Sequence, residues 1–235
     1  MIIINGRHSV LEALKQGNNV LEIFVSSQAS SQDKELIQRQ ANHYNLPLRY
    51  VDKQESMRRF KLDKPVSIFA RVKDISIQPL SILNTDKHPI VVALDHLEDP
   101  HNVGAIMRTC VGLGVEAIIL PKDRQAPLSA GVVRSSAGAA YHLNVIQVSN
   151  IAQALQHCDK LGYWIVATDS EQGTSLHATD PLRPCVLVMG NEHKGISKRV
   201  SKMAHHYIKI EMQGRIQSLN VSVSTGIILH HLTQG

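Results

Sequence analysis

Aromatic residues make up only 4% of this 235-residue chain, with a single tryptophan and three phenylalanines. So few large flat side chains argue against an all-β sandwich and for an aliphatic α/β core. Cysteine is scarce as well. Cys110, Cys158 and Cys185 lie far apart and form no Cys-x-x-Cys pair. They read as small buried hydrophobes rather than metal ligands or a disulfide. None of the thirteen histidines shows the His-Glu-x-x-His spacing of a helical zinc site, so no metal is expected. No apolar run approaches the ~20 residues that cross a bilayer. Met1-Ile2-Ile3-Ile4 gives way at once to Asn5-Gly6-Arg7, without the basic start and long apolar centre of a secretion signal. A cytoplasmic protein without a membrane partner is the expectation. Glycine-rich phosphate loops are missing too. Gly112 and Gly114 leave a helix and precede a strand, the reverse of a dinucleotide loop, and read as a helix C-terminus. This argues against a nucleotide-dependent dehydrogenase or NTPase.

Hydrophobic residues, at 43%, suffice for a substantial core, and the net charge of +5 leans toward polyanionic partners. The charge is uneven. Residues 1–74 hold 12 Lys and Arg against 8 Asp and Glu, whereas the remainder holds 13 against 12. Arg49, Lys53, Arg58, Arg59, Lys61, Lys64, Arg71 and Lys73 crowd into one stretch. Such a run is either an ordinary solvated surface or an RNA-binding face.

The first third reads as strands over Ile2–Ile4, Val20–Val25, Leu48–Val51 and Val66–Val72. Helices are expected over Ser9–Lys15, from a Ser31 cap to about His43, and over Lys53–Arg59. This βαβαβαβ order makes a small α/β unit over residues 1–74. Residues 75–88, polar, mixed in period and containing Pro79, read as a linker. The second unit, residues 89–235, opens with the aliphatic run Ile90–Leu94, as expected of a central parallel strand. A helix over Asn102–Leu113, a strand over Glu116–Leu120 and helices over Ala130–Ser136 and Ile151–Lys160 follow. Then come strands Tyr163–Thr168 and Cys185–Met189, a short helix Ile196–Lys202, a strand Tyr207–Ile210 and a closing helix Leu219–Leu232. The alternation predicts a largely parallel sheet.

Three segments set polar residues at the ends of these elements. Asp99-Pro100-His101-Asn102-Val103-Gly104-Ala105-Ile106-Met107-Arg108 follows the first strand of the second unit. Ligands of open α/β sheets collect at such strand ends. Pro100 fixes φ at a helix start and Asn102 can cap it, so a plain helix entry accounts for much of the segment. Arg108, two turns in, is by the same reading a surface cation. Met189-Gly190-Asn191-Glu192-His193-Lys194-Gly195-Ile196-Ser197 leaves a strand through a turn, and Gly190 there permits close backbone approach to a ligand. Ser218-Leu219-Asn220-Val221-Ser222-Val223 places two polar side chains before an apolar helix, where either can be an N-cap.

In this order, over residues 90–233, the three segments resemble the SpoU (TrmH) family of RNA 2′-O-ribose methyltransferases. The resemblance implies an α/β fold of the SPOUT class, a trefoil-knotted parallel-sheet domain. It implies S-adenosylmethionine as methyl donor, bound in the knot, and no metal. Periodicity alone would give an unknotted chain, since true knots are very rare. The resemblance also implies that Arg108 acts on the ribose hydroxyl and that Asn102, Glu192, Ser218 and Asn220 are active-site polar groups. Gly190, Met189, Ile210, Leu219, Ala167 and Thr168 would line the cofactor. The first unit looks like the ribosomal-protein-L30e-like domain that precedes the catalytic domain in many members, which implies recognition of folded RNA.

Gly6-Arg7-His8-Ser9-Val10 looks like the family's opening, whereas Asp63-Lys64-Pro65-Val66-Ser67 departs from its usual His-Gln-Gly. Ser224 and Thr225 stand where small residues are usual. Arg134-Ser135-Ser136-Ala137-Gly138-Ala139 resembles a further family stretch. Arg7, Arg58, Arg59 and Arg134 are the candidate RNA contacts. Length and domain order look most like members that methylate a guanosine of 23S ribosomal RNA or a ribosomal precursor. A transfer-RNA guanosine enzyme is the alternative, followed by a non-catalytic RNA-binding ribosome assembly factor. The ribose 2′-hydroxyl as target implies RNA and excludes DNA. Family members are usually homodimers, so a homodimer is implied here.

Overall fold

Four short apolar runs form the sheet of the first unit, Met1–Ile75. They are β1 (Ile2–Asn5), β2 (Val20–Ser26), β3 (Leu48–Val51) and β4 (Ile68–Val72), ordered β1-β4-β2-β3. β4 runs antiparallel to β1 and β2, and β3 runs parallel to β2. Three helices, α1 (Arg7–Lys15), α2 (Ser31–His43) and α3 (Lys53–Phe60), connect them. Strand alternation sends Ile4, Ile23, Val25 and Ala70 to the face beneath α1 and α2, which bury Val10, Leu14, Ile37 and Ala41. The opposite face carries Phe24 and Phe69, stacked with centroids 4.9 Å apart, and Phe60 of α3 packs on both. All three phenylalanines of the chain thus pin α3 to this sheet. The α2 cap is Ser30 rather than Ser31: its hydroxyl accepts from the Asp33 amide at 3.1 Å.

The computed structural model describes residues 1–15, 17, 19–60, 65–169, 173–191 and 194–234. Its second unit, Ser76–Gly235, begins inside the stretch expected to be a linker. There β5 (Ile77–Gln78) pairs in parallel with Val145 and Ile146, and Leu80, Ile82 and Leu83 pack on the core. The segment is therefore a sheet edge, and Pro79 is tolerated because an edge strand can spare an amide. The strand β8 (Asn144–Val148) that it joins was not anticipated either. The remaining strands are β6 (Ile90–Asp95), β7 (Ala117–Pro121), β9 (Trp164–Thr168), β10 (Thr174–Ser175), β11 (Cys185–Gly190) and β12 (His206–Lys209). Their order is β10-β12-β9-β11-β6-β7-β8-β5, and every pairing is parallel.

Both faces of this sheet are covered, as a parallel sheet requires. On one face Val91, Ala93, Val186 and Val188 pack against Leu155 and Cys158 of α6 (Ile151–Lys160) and Val200 of α7 (Lys198–Ser201). Alternation sends Val92, Leu94 and Leu187 to the other face, beneath α4 (Pro100–Gly112) and α8 (Val221–Thr233). α4 also packs against α5 (Ala130–Ser135). A Cβ added to Gly104 would lie 1.9 Å from Ser135 Oγ, so only glycine allows this approach of α4 and α5.

One crossing departs from simple winding. β9 and β10 follow each other in the chain, yet β12 lies between them. Asp169 donates its amide to the Ile208 carbonyl at 3.1 Å, and a Cβ on Gly173 would sit 2.7 Å from Ile208 C. Asp169 and Gly173 therefore both close on β12, the strand that the sheet order places between β9 and β10.

Candidate active site

The carboxyl ends of β9, β11 and β12 and the start of α8 surround a cavity of about 520 Å³, within the usual size of small-molecule sites. Met189, Ile210, Leu219 and Ile228 supply apolar lining, and Thr168, Asp169, Asn191, Gln217 and Ser218 supply polar atoms. Its wall is built by close approach. A Cβ on Gly190 would lie 2.4 Å from Gly195 C and 2.5 Å from Ile196 N. Asn191 and Gly195 exchange backbone hydrogen bonds of 3.0 and 2.9 Å, closing a tight turn in which Gly195 takes φ +65°. Only glycine at 190 lets that turn fold back onto the strand end.

A buried carboxylate holds this turn. Asp95, 1% exposed at the end of β6, accepts the Ser197 amide at 2.7 Å through one oxygen and meets His96 Nδ1 at 2.6 Å through the other. The His96 carbonyl accepts from Asn191 Nδ2 at 2.8 Å. Residues 95–96, 191 and 197 are thus tied together. Sequence reasoning missed Asp95 and His96, which look like the last residues of an apolar strand. The one local signal is the left-handed backbone of His96, φ +65°, which becomes visible only in three dimensions.

The first and third segments meet directly. Asn220 Nδ2 donates to Asn102 Oδ1 at 3.0 Å across 118 residues of sequence. Asn102 is not the helix cap expected of it. Asp99 caps α4, accepting from the His101 amide at 2.8 Å, and Pro100 occupies the first helical position. That leaves Asn102, 9% exposed, turned toward α8. Asn220 serves twice: its oxygen caps α8 by accepting from the Ser222 amide at 2.8 Å, while its nitrogen reaches Asn102. Ser218, Leu219 and Asn220 all line the cavity, as does Ser224, while Thr225 is buried and returns its hydroxyl to the Val221 carbonyl at 2.6 Å.

Of the residues expected around the cofactor, Gly190, Met189, Ile210, Leu219 and Thr168 line the cavity. Ala167 does not. It is fully buried in β9, where it pairs with Val188 and Tyr207. Arg108 is not brought to the cavity wall either. It lies exposed on α4, about 9 Å further along the helix than Asn102 and a third of a turn around it. Among the described residues it has no ion-pair partner. Glu192 lies outside the described residues.

The expected RNA contacts differ in availability. Arg7 pairs with Asp33 at 3.2 Å, which ties α1 to α2. Arg58 is exposed on α3 and Arg134 on α5. Arg59 belongs to α3, its side chain being outside the described part. Among the described residues no cluster of three or more metal-ligating side chains is present, and no helix is long and apolar enough to cross a membrane.

Comparison with known proteins agrees with this geometry. The chain belongs to the SpoU rRNA methylase family, whose pattern matches residues 89–230. Residues 3–76 match the RNA 2′-O ribose methyltransferase substrate-binding domain. YacO of Bacillus subtilis, named as a candidate TrmH family tRNA/rRNA methyltransferase, is 30% identical over 97% of this chain and 93% of its own length. The crystal structure of an AdoMet-bound rRNA methyltransferase from Sinorhizobium meliloti superposes with a TM-score of 0.74 at 24% identity. It covers 98% of this chain and 86% of that one. The TrmH/SpoU tRNA modifying enzyme of A. aeolicus is 32% identical, with a TM-score of 0.57 over 66% of this chain and 79% of that one. The fold is of the SPOUT α/β type, joined to an N-terminal substrate-binding unit.

Proposed function

We propose that this protein transfers a methyl group from S-adenosylmethionine to the ribose 2′-hydroxyl of a guanosine in 23S rRNA, as a cytoplasmic homodimer. The Asn102–Asn220 bond carries the reading, because it draws two of the three motif segments together beside the glycine-walled cavity of the third. The cavity suits the cofactor in chemistry: aliphatic side chains for an adenine face, and backbone and hydroxyl groups for its polar edges. Bound there, S-adenosylmethionine supplies a methyl on a positive sulfur, a leaving group already activated without a metal.

In this reading Gly190, Met189, Ile210 and Leu219 grip the cofactor, with Thr168 beside it and Ala167 backing the strand beneath. Asn102, Ser218 and Asn220 orient the ribose by hydrogen bonds, which holds the reacting atoms in line. Glu192, by the family resemblance, orients the same groups. Arg108 is a stabiliser rather than a base, since a guanidinium stays protonated in proteins. Its charge meets the developing oxyanion and an adjacent RNA phosphate. Arg58, Arg59 and Arg134 contact RNA, and Arg7 does so only if it leaves Asp33. The homodimer draws support from α8, where Val223 and Ile227 are 50% and 40% exposed one turn apart, with Ile216 exposed just before. An apolar stripe of this kind suits a second copy of the same surface.

Transfer RNA is the second reading, favoured by the 32% identity to the A. aeolicus tRNA modifying enzyme. Ribosomal RNA is preferred because both units, rather than the catalytic unit alone, are shared with the S. meliloti structure. Incubation with methyl-labelled S-adenosylmethionine and a mixture of deproteinised rRNA and tRNA separates the two. Label in the large-subunit rRNA is expected, and label confined to tRNA would reverse the choice. Arg108→Ala should abolish turnover while leaving S-adenosylmethionine affinity within about twofold of wild type. Loss of cofactor binding in that variant would contradict the role given to Arg108.

A further inference from the structure

We infer that the first unit grips an RNA phosphodiester between Arg49 and Arg71, two arginines aimed by the buried carboxylate of Glu22. The chemical nature of the anion rests on the RNA methyltransferase reading above. Glu22 is 8% exposed, unusual for a carboxylate in the middle of a small sheet. One of its oxygens meets Arg49 Nε at 2.5 Å and the other meets an Arg71 terminal nitrogen at 3.4 Å. The three residues stand on neighbouring strands, Arg71 on β4, Glu22 on β2 and Arg49 on β3. Backbones two strands apart, about 10 Å, thereby send their guanidinium groups to a single carboxylate.

The charges do not cancel. Among the described residues one carboxylate faces two guanidinium groups, so these three side chains together carry a net positive charge. The side chains of Arg49 and Arg71 remain 59% and 40% exposed. Each guanidinium carries five N–H donors, and Glu22 engages one nitrogen of each. The spare donors lie on the exposed parts of both guanidinium groups, where an anion can reach them. Two preorientated guanidinium groups with spare donors suit a phosphate, whose oxygens accept from the planar guanidinium fork.

The location fits a polyanion as well. Glu22, Arg49 and Arg71 occupy the sheet face that carries Phe24 and Phe69. α3 covers the phenylalanine half of that face through Phe60, and Arg58 is exposed on the same helix. Arg49 and Arg71 of the basic run legible in the sequence thus share this face, with Glu22 between them and Arg58 exposed on the helix that covers its other half.

The test turns on the sign of one charge change. Binding of the full-length protein to deproteinised 23S rRNA is measured by filter retention across a KCl series, with wild type, Glu22→Gln, Arg49→Lys and Arg71→Lys. Glu22→Gln removes a negative charge, so an unstructured basic surface would bind RNA more tightly. A fork that depends on Glu22 binds about tenfold more weakly. The lysine variants keep both the charge and a partner for Glu22, so they retain the fold. They should lose about tenfold in affinity with an unchanged salt slope, because the charge survives and the planar grip does not. Glu22→Gln or lysine variants that bind as tightly as wild type would overturn the assignment. So would displacement of the RNA by low-millimolar inorganic phosphate, which would mark a site for the free anion. Wild-type protein that retains no RNA would refute the underlying RNA reading instead.

Discussion

Gly190→Ala should damage the cofactor site far more than its single added methyl suggests. The new Cβ would lie 2.4 Å from Gly195 C, 2.5 Å from Ile196 N and 2.7 Å from the Gly195 carbonyl oxygen. Carbon atoms in contact ordinarily stand about 3.5–4.0 Å apart, so the turn must retreat by roughly 1 Å or more. It cannot do so freely. Its start is locked by the paired Asn191–Gly195 hydrogen bonds and its end by the Ser197 amide on Asp95. Overpacking of about 1–3 kcal/mol, plus two strained backbone bonds at about 0.5–1.5 kcal/mol each, gives a loss of roughly 2–6 kcal/mol. Gly195→Ala is the control. Its Cβ would meet nothing within 4 Å, leaving only the strain of φ +65°, about 1–2 kcal/mol. Thermal melting and calorimetric titration with S-adenosylmethionine read both effects. Gly190→Ala should melt lower than Gly195→Ala and lose about a hundredfold in affinity, the scale of a 1 Å misplacement in a site. Equal melting temperatures, or unaltered affinity in Gly190→Ala, would refute the claim that this close approach of the Gly195 turn to Gly190 builds the cavity wall.

Three further outcomes are expected. Asn220→Ser keeps a side chain able to cap α8 but too short to reach Asn102, so it should cost about 1 kcal/mol and most of the activity; Asn220→Ala loses the cap as well and should cost about 1 kcal/mol more by chemical denaturation. Burial pushes the thiols of Cys110, Cys158 and Cys185 up to about 12 from an ordinary 9.0, and the Tyr163 hydroxyl up to about 12 from 10.0, with Cys158 and Cys185 adding to the latter. Folding favours the protonated forms, so urea stability should hold up to about pH 9 and fall as pH climbs toward 12, and a thiol reagent at pH 8 should label no cysteine until urea is added. Val223→Glu places a charge in the exposed stripe of α8, so sedimentation should report monomers where wild type gives dimers, with the melting temperature little changed.

Much of the second unit was legible because local chemistry and global topology agree there. Ile90–Leu94 is apolar throughout because β6 is buried on both faces, and Asn220 looks like a cap because it is one. Asn102 shows where local reading stops. Its sequence neighbourhood suggests a cap, but Asp99 and Pro100 already perform that task, and its partner lies 118 residues away. β5 and β8 escaped for a related reason: Ile77 and Gln78 are two residues beside a proline, and only their pairing with Val145 and Ile146 makes them a strand. Periodicity cannot express the closure of Gly173 on β12, since Gly173 differs from any other loop glycine only in what lies against it. The Glu22 cluster is hidden in the same way. Its members are 22 to 49 residues apart in the chain and meet only because β2 pairs with both β3 and β4.

The most direct measurement is the identity of the methylated nucleoside. The protein is incubated with S-adenosylmethionine and deproteinised rRNA from cells lacking its gene, the RNA is digested to nucleosides, and these are separated by mass. We expect a single new product, 2′-O-methylguanosine, absent when Arg108→Ala replaces wild type. A methyl on a base, or no new nucleoside in any RNA fraction, would contradict ribose methylation at this site.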